Sequence, residues 1–108
     1  MARSSGSVRW ADPGLLILGS LAEGPKHGYA IVGDVERTAD VTLGPGTLYG
    51  ALARLEEHCY VEPLPGDDRR RPYQLTAKGA AALSDQLAVM ARFARTGQRR
   101  LQARQAGA

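Results

Sequence analysis

Three breaks built from proline and glycine, Gly24-Pro25, Gly44-Pro45-Gly46 and Pro65-Gly66, cut this chain into short pieces and limit what it can fold into. Proline inside a helix costs about 3 kcal/mol, and it cannot donate to a sheet ladder. Regular elements must therefore end near each break. Before the first break, Asp12-Pro13 reads as an N-cap followed by proline at the first helical position. The run Gly14 to Ala22 is apolar nearly all round, so this helix is buried on more than one side. In a chain of 108 residues, with room for one modest core, another subunit can cover one of those sides. A second helix is expected from near His27 to about Thr38, with Tyr29, Ile31, Val32 and Val35 on its apolar side. A third begins at about Thr47, where Leu48, Ala51, Leu52 and Leu55 fall at i, i+3, i+4 and i+7 as one core stripe.

The face opposite that stripe carries Gly46, Gly50, Ala53 and Glu57, flanked by Tyr49 and Arg54. A solvated face normally bears long charged side chains, and glycine inside a helix costs about 1 kcal/mol relative to alanine. Small residues make sense there if a groove wall or another backbone must come close. Around the third break, Tyr60 to Leu64 and Arg70 to Leu75 read as two short strands, kept short and edge-like by Pro63 and Pro72. Thr76 can cap a fourth helix. In it Ala80, Leu83, Leu87, Met90, Ala94, Gly97 and Leu101 alternate spacings of three and four, a seam that wants a partner helix, widened by Val89 and Phe93. Gly97 weakens the seam, and the last residues are expected to be mobile.

The formal net charge is only +3, but arginine far outnumbers lysine. Arginine is the better phosphate fork. One cluster is Arg69-Arg70-Arg71; the other is Arg92, Arg95, Arg99, Arg100 and Arg104, with no acid after Asp85. The single cysteine, Cys59, cannot form an internal disulfide, which fits a reducing compartment and an inert buried thiol more readily than a redox sensor. No apolar run approaches the roughly 20 residues that span a bilayer, and the polar start lacks the apolar segment of a secretory signal. A cytoplasmic protein with no membrane partner is expected. His58-Cys59 with one distant histidine has no recognised metal-ligand spacing. Neither a phosphate-binding glycine loop nor a nucleophile–base constellation is present, so neither an enzyme nor a cofactor is expected.

Three helices, a hairpin and a final helix form the winged helix-turn-helix order: mainly α, with a small β-hairpin and a C-terminal dimerisation helix. A major groove about 12 Å wide admits one helix. The second helix braces the third for that groove, and the basic hairpin reaches flanking phosphates. The expected DNA contacts are Thr47, Tyr49, Gly50 and Arg54 on the third helix, and Arg69, Arg70 and Arg71 on the wing. Asp67 and Asp68 at the tip repel phosphate unless they pair with the arginines or point away. Tyr29 reads as a core residue with a wet hydroxyl. Leu15, Leu18, Leu83, Leu87, Met90, Phe93 and Leu101 are the expected dimer contacts. Trp10 suits either a pocket for a small hydrophobic effector or a staple for the arm. The organisation is thus an arm over residues 1–11, a DNA-binding domain over 12–76, a dimerisation helix over 77–101 and a tail over 102–108. A protein-interaction module that keeps the shape without binding DNA is the alternative.

Four segments, in order, resemble the PadR family of transcriptional regulators: Leu15 to Pro25, His27-Gly28-Tyr29, Gly46 to Glu56, and Arg69 to Gly79. The resemblance implies a homodimer built through the first and last helices. It also implies repression of a nearby transporter or detoxification gene, relieved by a small molecule. Carried over by position, Thr47, Tyr49 and Arg54 belong to the DNA-facing helix, His27, Gly28 and Tyr29 open the helix before it, and Arg70 and Arg71 lie on the wing. The short tail after Gly79 is similar to that of the compact subgroup with one C-terminal helix. Two positions depart from the pattern. Gly50 stands where the family usually has proline, and Cys59 where it usually has glycine. A cysteine in a left-handed turn costs on the order of 1 kcal/mol or shifts the helix end.

Overall fold

Asp12 starts the first helix as its sequence requires. Its Oδ2 accepts from the Leu15 amide at 3.1 Å, and Pro13 occupies the first turn. The structure, a computed structural model, describes residues 12–67 and 70–107. Helix α1 spans Pro13–Leu21 and buries Ile17, Leu18, Ser20 and Leu21. Gly24, at φ +147°, reverses the chain into a two-residue strand, β1 (Lys26–His27). The Lys26 ammonium reaches the Glu23 carboxylate at 2.7 Å and the Ser20 carbonyl at 2.5 Å, which ties the turn to the end of α1.

Helix α2 (Gly28–Ala39) is capped by the His27 ring, whose Nδ1 accepts from the Ala30 amide at 3.4 Å. It buries Gly28, Ile31 and Val35, and ends at Asp40 in a left-handed conformation. Helix α3 (Pro45–Glu57) starts two residues before the expected Thr47. The Gly44-Pro45-Gly46 break opens the helix rather than preceding it, because a fixed φ near −65° suits the first turn. All of Leu48, Ala51, Leu52 and Leu55 are buried.

The chain leaves α3 through a Schellman motif. The Cys59 amide donates to the Glu56 carbonyl at 2.9 Å, and the Tyr60 amide to the Leu55 carbonyl at 2.9 Å. Cys59 sits at φ 62°, the left-handed position that favours glycine. The helix end is therefore kept, and the cysteine bears the strain. Its side chain lies on an exposed residue, not in the core as expected.

Strands β2 (Val61–Pro63) and β3 (Pro72–Leu75) pair antiparallel, Val61 opposite Leu75 and Pro63 opposite Tyr73. The sequence reads as a short, edge-like two-stranded hairpin. Instead β1 pairs with the free edge of β3, giving a three-stranded sheet in the order β1-β3-β2. Thr76 links this sheet to helix α4 (Ala77–Gly107): its Oγ1 donates to the Cys59 carbonyl at 2.6 Å and accepts from the Gly79 amide at 3.0 Å. Helix α4 has 31 residues, about 46 Å at 1.5 Å per residue. It continues past Leu101 through the segment expected to be a loose tail, where alanine, arginine and glutamine are strong helix formers.

Gly79 is the closest point between α4 and the rest of the domain. A Cβ there would fall onto the Tyr60 carbonyl oxygen, a backbone atom that cannot swing aside. Gly79→Ala should lower unfolding stability by about 3 kcal/mol, read by urea unfolding at fixed protein concentration. Cys59→Gly should raise it by about 1 kcal/mol by removing the left-handed strain. A destabilised Cys59→Gly protein would contradict the turn described here.

Candidate nucleic-acid interface

The outward side of α3 is open. A Cβ added at Gly46 would meet nothing within 4 Å, and one at Gly50 would meet only the Arg54 Nη1 at 3.8 Å. Thr47, Ala53 and Arg54 are exposed, and Gly50 is half-buried. This face follows from the buried leucine stripe, since residues three and four apart share one side of a helix. The sequence-derived positions Thr47, Tyr49, Gly50 and Arg54 thus lie together on one accessible surface.

Tyr49 is held at the edge of that surface. It is 50% exposed, and its hydroxyl lies over the first turn of α2. A Cβ at Gly28 would come within 2.7 Å of Tyr49 Oη and 3.1 Å of Leu48 Cδ2. Gly28 is therefore a close-approach glycine that lets the tyrosine ring settle against α2.

Tyr29 corrects the sequence reading. It was expected in the core, yet it is 85% exposed beside Tyr49 and shares an open cleft with it. The core stripe of α2 runs through Gly28, Ile31 and Val35, and the neighbouring position 29 is rotated about 100° away from Gly28. Tyr29 is thus an exposed aromatic next to the bare face, which the periodicity of α2 concealed. The His-Gly-Tyr order at the helix start was the available signal.

On the wing, Arg70 and Arg71 are exposed. Arg69 and Asp68 lie outside the described residues, as does Trp10. Asp67 is engaged within the turn: its Oδ1 accepts from the Arg70 amide at 2.9 Å. That bond pairs the acid with an amide of the wing itself. At the wing base, Tyr73 has its phenol pushed above the ordinary value near 10, first by burial and then by the Glu56 carboxylate, against the opposing pull of Arg71. Tyr49 adds a smaller upward push, so the wing base and the outward helix lie within electrostatic reach of one another.

The expected dimer contacts divide in two. Leu18 and Leu83 are 5% and 6% exposed and pack mainly into the subunit's own core, leaving only their edges along open grooves. That is a correction: α4 crosses α1 at Leu83 before it projects away. Leu15 is half-buried at the same crossing. Leu87, Met90, Phe93 and Leu101 are exposed along the projecting part of α4. Arg92, Arg95, Arg99, Arg100 and Arg104 are exposed on the same helix. Beside the crossing lies an open groove of about 660 Å³ lined by Leu15, Leu18, Leu55, Tyr60, Val89 and Met90 among others. Among the described residues, no three His, Cys, Asp or Glu side chains come together as a metal site, and no helix is long and apolar enough to cross a membrane.

A helix-turn-helix braced by α1, a small sheet carrying a basic loop and one long trailing helix make a winged-helix fold. The chain belongs to the transcriptional regulator PadR-like family, whose model matches residues 17–85. Over 86 residues it is 46% identical to an uncharacterised 37.1 kDa protein in transposon Tn4556 of Streptomyces fradiae, covering 80% of this chain and 25% of that protein. The chain thus spans about a quarter of that relative's length. It is similar in structure to a transcriptional regulator from Clostridium thermocellum, with 28% identity and TM-score 0.68 over 78% of this chain and 84% of that one. A PadR family transcription regulator from Clostridium difficile R20291 matches with TM-score 0.75 and 24% identity, over 84% of this chain and 99% of that one. A PadR-like transcription factor from Bacteroides fragilis matches at 25% identity and TM-score 0.65, over 77% and 84% of the two chains.

Tyr73 gives a pH prediction for this junction. The folded protein holds the phenol proton above the pH at which the unfolded chain releases it. The resulting stabilisation is intact below about pH 10 and is lost as pH rises through the folded value. Urea midpoints measured at about pH 8 and about pH 11 should fall less in Tyr73→Phe than in the parent. An identical fall in both proteins would remove Tyr73 from the alkaline response.

Proposed function

We propose that this chain is a sequence-specific DNA-binding transcriptional regulator that acts as a homodimer. The observation that carries this reading is the open stripe of Gly46, Gly50 and Ala53 on α3, backed by a fully buried leucine side. Such a helix can sit deep in a major groove, with Thr47, Tyr49 and Arg54 at its edges and Arg69, Arg70 and Arg71 on the flanking phosphates. Phosphate contacts set register, while base-edge contacts carry sequence information. Few groups on α3 can read bases, so DNA shape supplies part of the specificity. A regulator of this kind works in the cytoplasm beside the DNA, and its role is regulatory rather than catalytic.

The second subunit covers Leu87, Met90, Phe93 and Leu101 of α4, with Leu15 of α1 at the margin. Exposed apolar residues at heptad-like spacing favour a partner helix. A small hydrophobic effector fits the groove between α1 and α4, whose volume falls in the usual range for such sites, and Trp10 precedes that groove in the chain. Effector binding there alters the spacing of the two α3 helices and releases the operator, which makes the regulator a repressor. The alternative, an interaction module without DNA binding, rests on the acidic wing tip and the bare face of α3; at that tip Asp67 accepts from the wing's own Arg70 amide.

A footprint on the DNA flanking its own gene should show two half-sites about 10 bp, or a multiple, apart. Gel shifts across a salt series should give a steep negative slope, near −0.9 per phosphate contacted. Arg70→Ala with Arg71→Ala should weaken binding to every sequence alike and flatten that slope. Arg54→Ala should weaken binding and relax sequence preference. Parent-like binding by the double variant would remove the wing from the interface.

A further inference from the structure

We propose that the cleft between Tyr29 and Tyr49 reads the 5-methyl group of a thymine at the edge of the major groove. This rests on the DNA-binding reading above and names one of its specificity determinants.

The cleft is open, about 320 Å³, and is lined by Tyr29, Val32, Leu43, Pro45, Leu48 and Tyr49. It lies between the first turns of α2 and α3, beside the bare stripe. Its walls are carbon. Leu43 and Leu48 are buried members of the core, so the floor is fixed and apolar. The side-chain polar atoms among the lining residues are the two phenol hydroxyls, and that of Tyr49 lies over Gly28. A charged phosphate entering such walls would lose hydration without a compensating cation. A methyl group loses nothing of the kind and gains apolar burial.

The neighbouring surface explains why such a reader is needed. Thr47, Tyr49 and Arg54 are the hydrogen-bonding side chains at the edges of the stripe, and the stripe itself is glycine and alanine up to Glu57 at its C-terminal end. In the major groove thymine is marked by its C5-methyl, which is recognised through apolar contact. Two aromatic side chains left exposed, at 85% and 50%, on the side of the domain that faces the duplex supply that contact. Gly28 sets the geometry, since any larger residue would push the Tyr49 ring out of the position that shapes the cleft.

The test uses the full chain and duplexes selected by it from a random-sequence pool. Each selected duplex is remade with deoxyuridine replacing one thymidine at a time, which removes the methyl and leaves pairing intact. The parent protein should lose about fourfold in affinity at one or two positions in each half-site, the worth of one buried methyl. Tyr29→Ala and Tyr49→Ala should bind the thymidine and deoxyuridine duplexes equally, while Tyr29→Phe should keep the discrimination because the ring and not the hydroxyl makes the contact. Circular dichroism checks that each variant folds, and the deoxyuridine scan on the parent needs no variant. Equal binding of all thymidine and deoxyuridine duplexes by the parent overturns this inference and leaves DNA binding standing. A uniform loss in Tyr29→Phe with no methyl dependence also overturns it, in favour of a phenol–phosphate bond. If the pool yields no bound duplex, the DNA-binding reading itself fails.

Discussion

The burial of Leu48, Ala51, Leu52 and Leu55 is the constraint on which the rest of this molecule depends. These side chains lock α3 about its own axis against α1 and the sheet. Once that rotation is fixed, Gly46, Gly50, Ala53 and Glu57 must face outward, with Tyr49 and Arg54 at the edges. Full burial of an aliphatic side chain contributes roughly 1.5–3 kcal/mol, so turning the helix to hide the glycines would expose more than the domain can lose. The bare face is a consequence of the core.

Close backbone approaches carry that orientation to the rest of the domain. At Gly28 the first turn of α2 comes close enough to seat the Tyr49 ring. At Gly79 the start of α4 meets the Tyr60 carbonyl, and Thr76 bridges the same loop through the Cys59 carbonyl. The left-handed turn at Cys59 sends the chain from α3 straight into β2, so the wing is placed by the end of the same helix that it accompanies. Lys26 belongs to this scheme as well. Its backbone forms β1 against the wing strand while its ammonium holds the end of α1. Lys26 thus links the wing strand to the end of α1, and Tyr73 at the wing base lies within electrostatic reach of Glu56 and Arg71.

Much of this was legible in the chain itself. Asp12-Pro13, the leucine stripe, the Thr76 cap and the short proline-bounded hairpin all depend on local rules, because capping, helical periodicity and the missing proline donor act within a few residues. Other features were hidden. Tyr29 reads as apolar in a periodicity count, and only the rotation of α2 against its neighbours turns it outward. Leu18 and Leu83 match a dimer seam as well as they match a core, and only the crossing of α1 and α4 assigns them to the subunit. Strand β1 has two residues, too few to leave a pattern.

The sequence by itself determined the order of the helices and the hairpin, the caps that open α1 and α4, and the apolar side of α3, since those depend on backbone stereochemistry and on residues three or four positions apart. Tertiary structure alone decided which apolar residues remain exposed, that Lys26–His27 adds a strand to the wing, and that Tyr29 and Tyr49 stand side by side. Those facts depend on how helices far apart in sequence are turned toward one another, and that turning is set by the summed packing of the whole core.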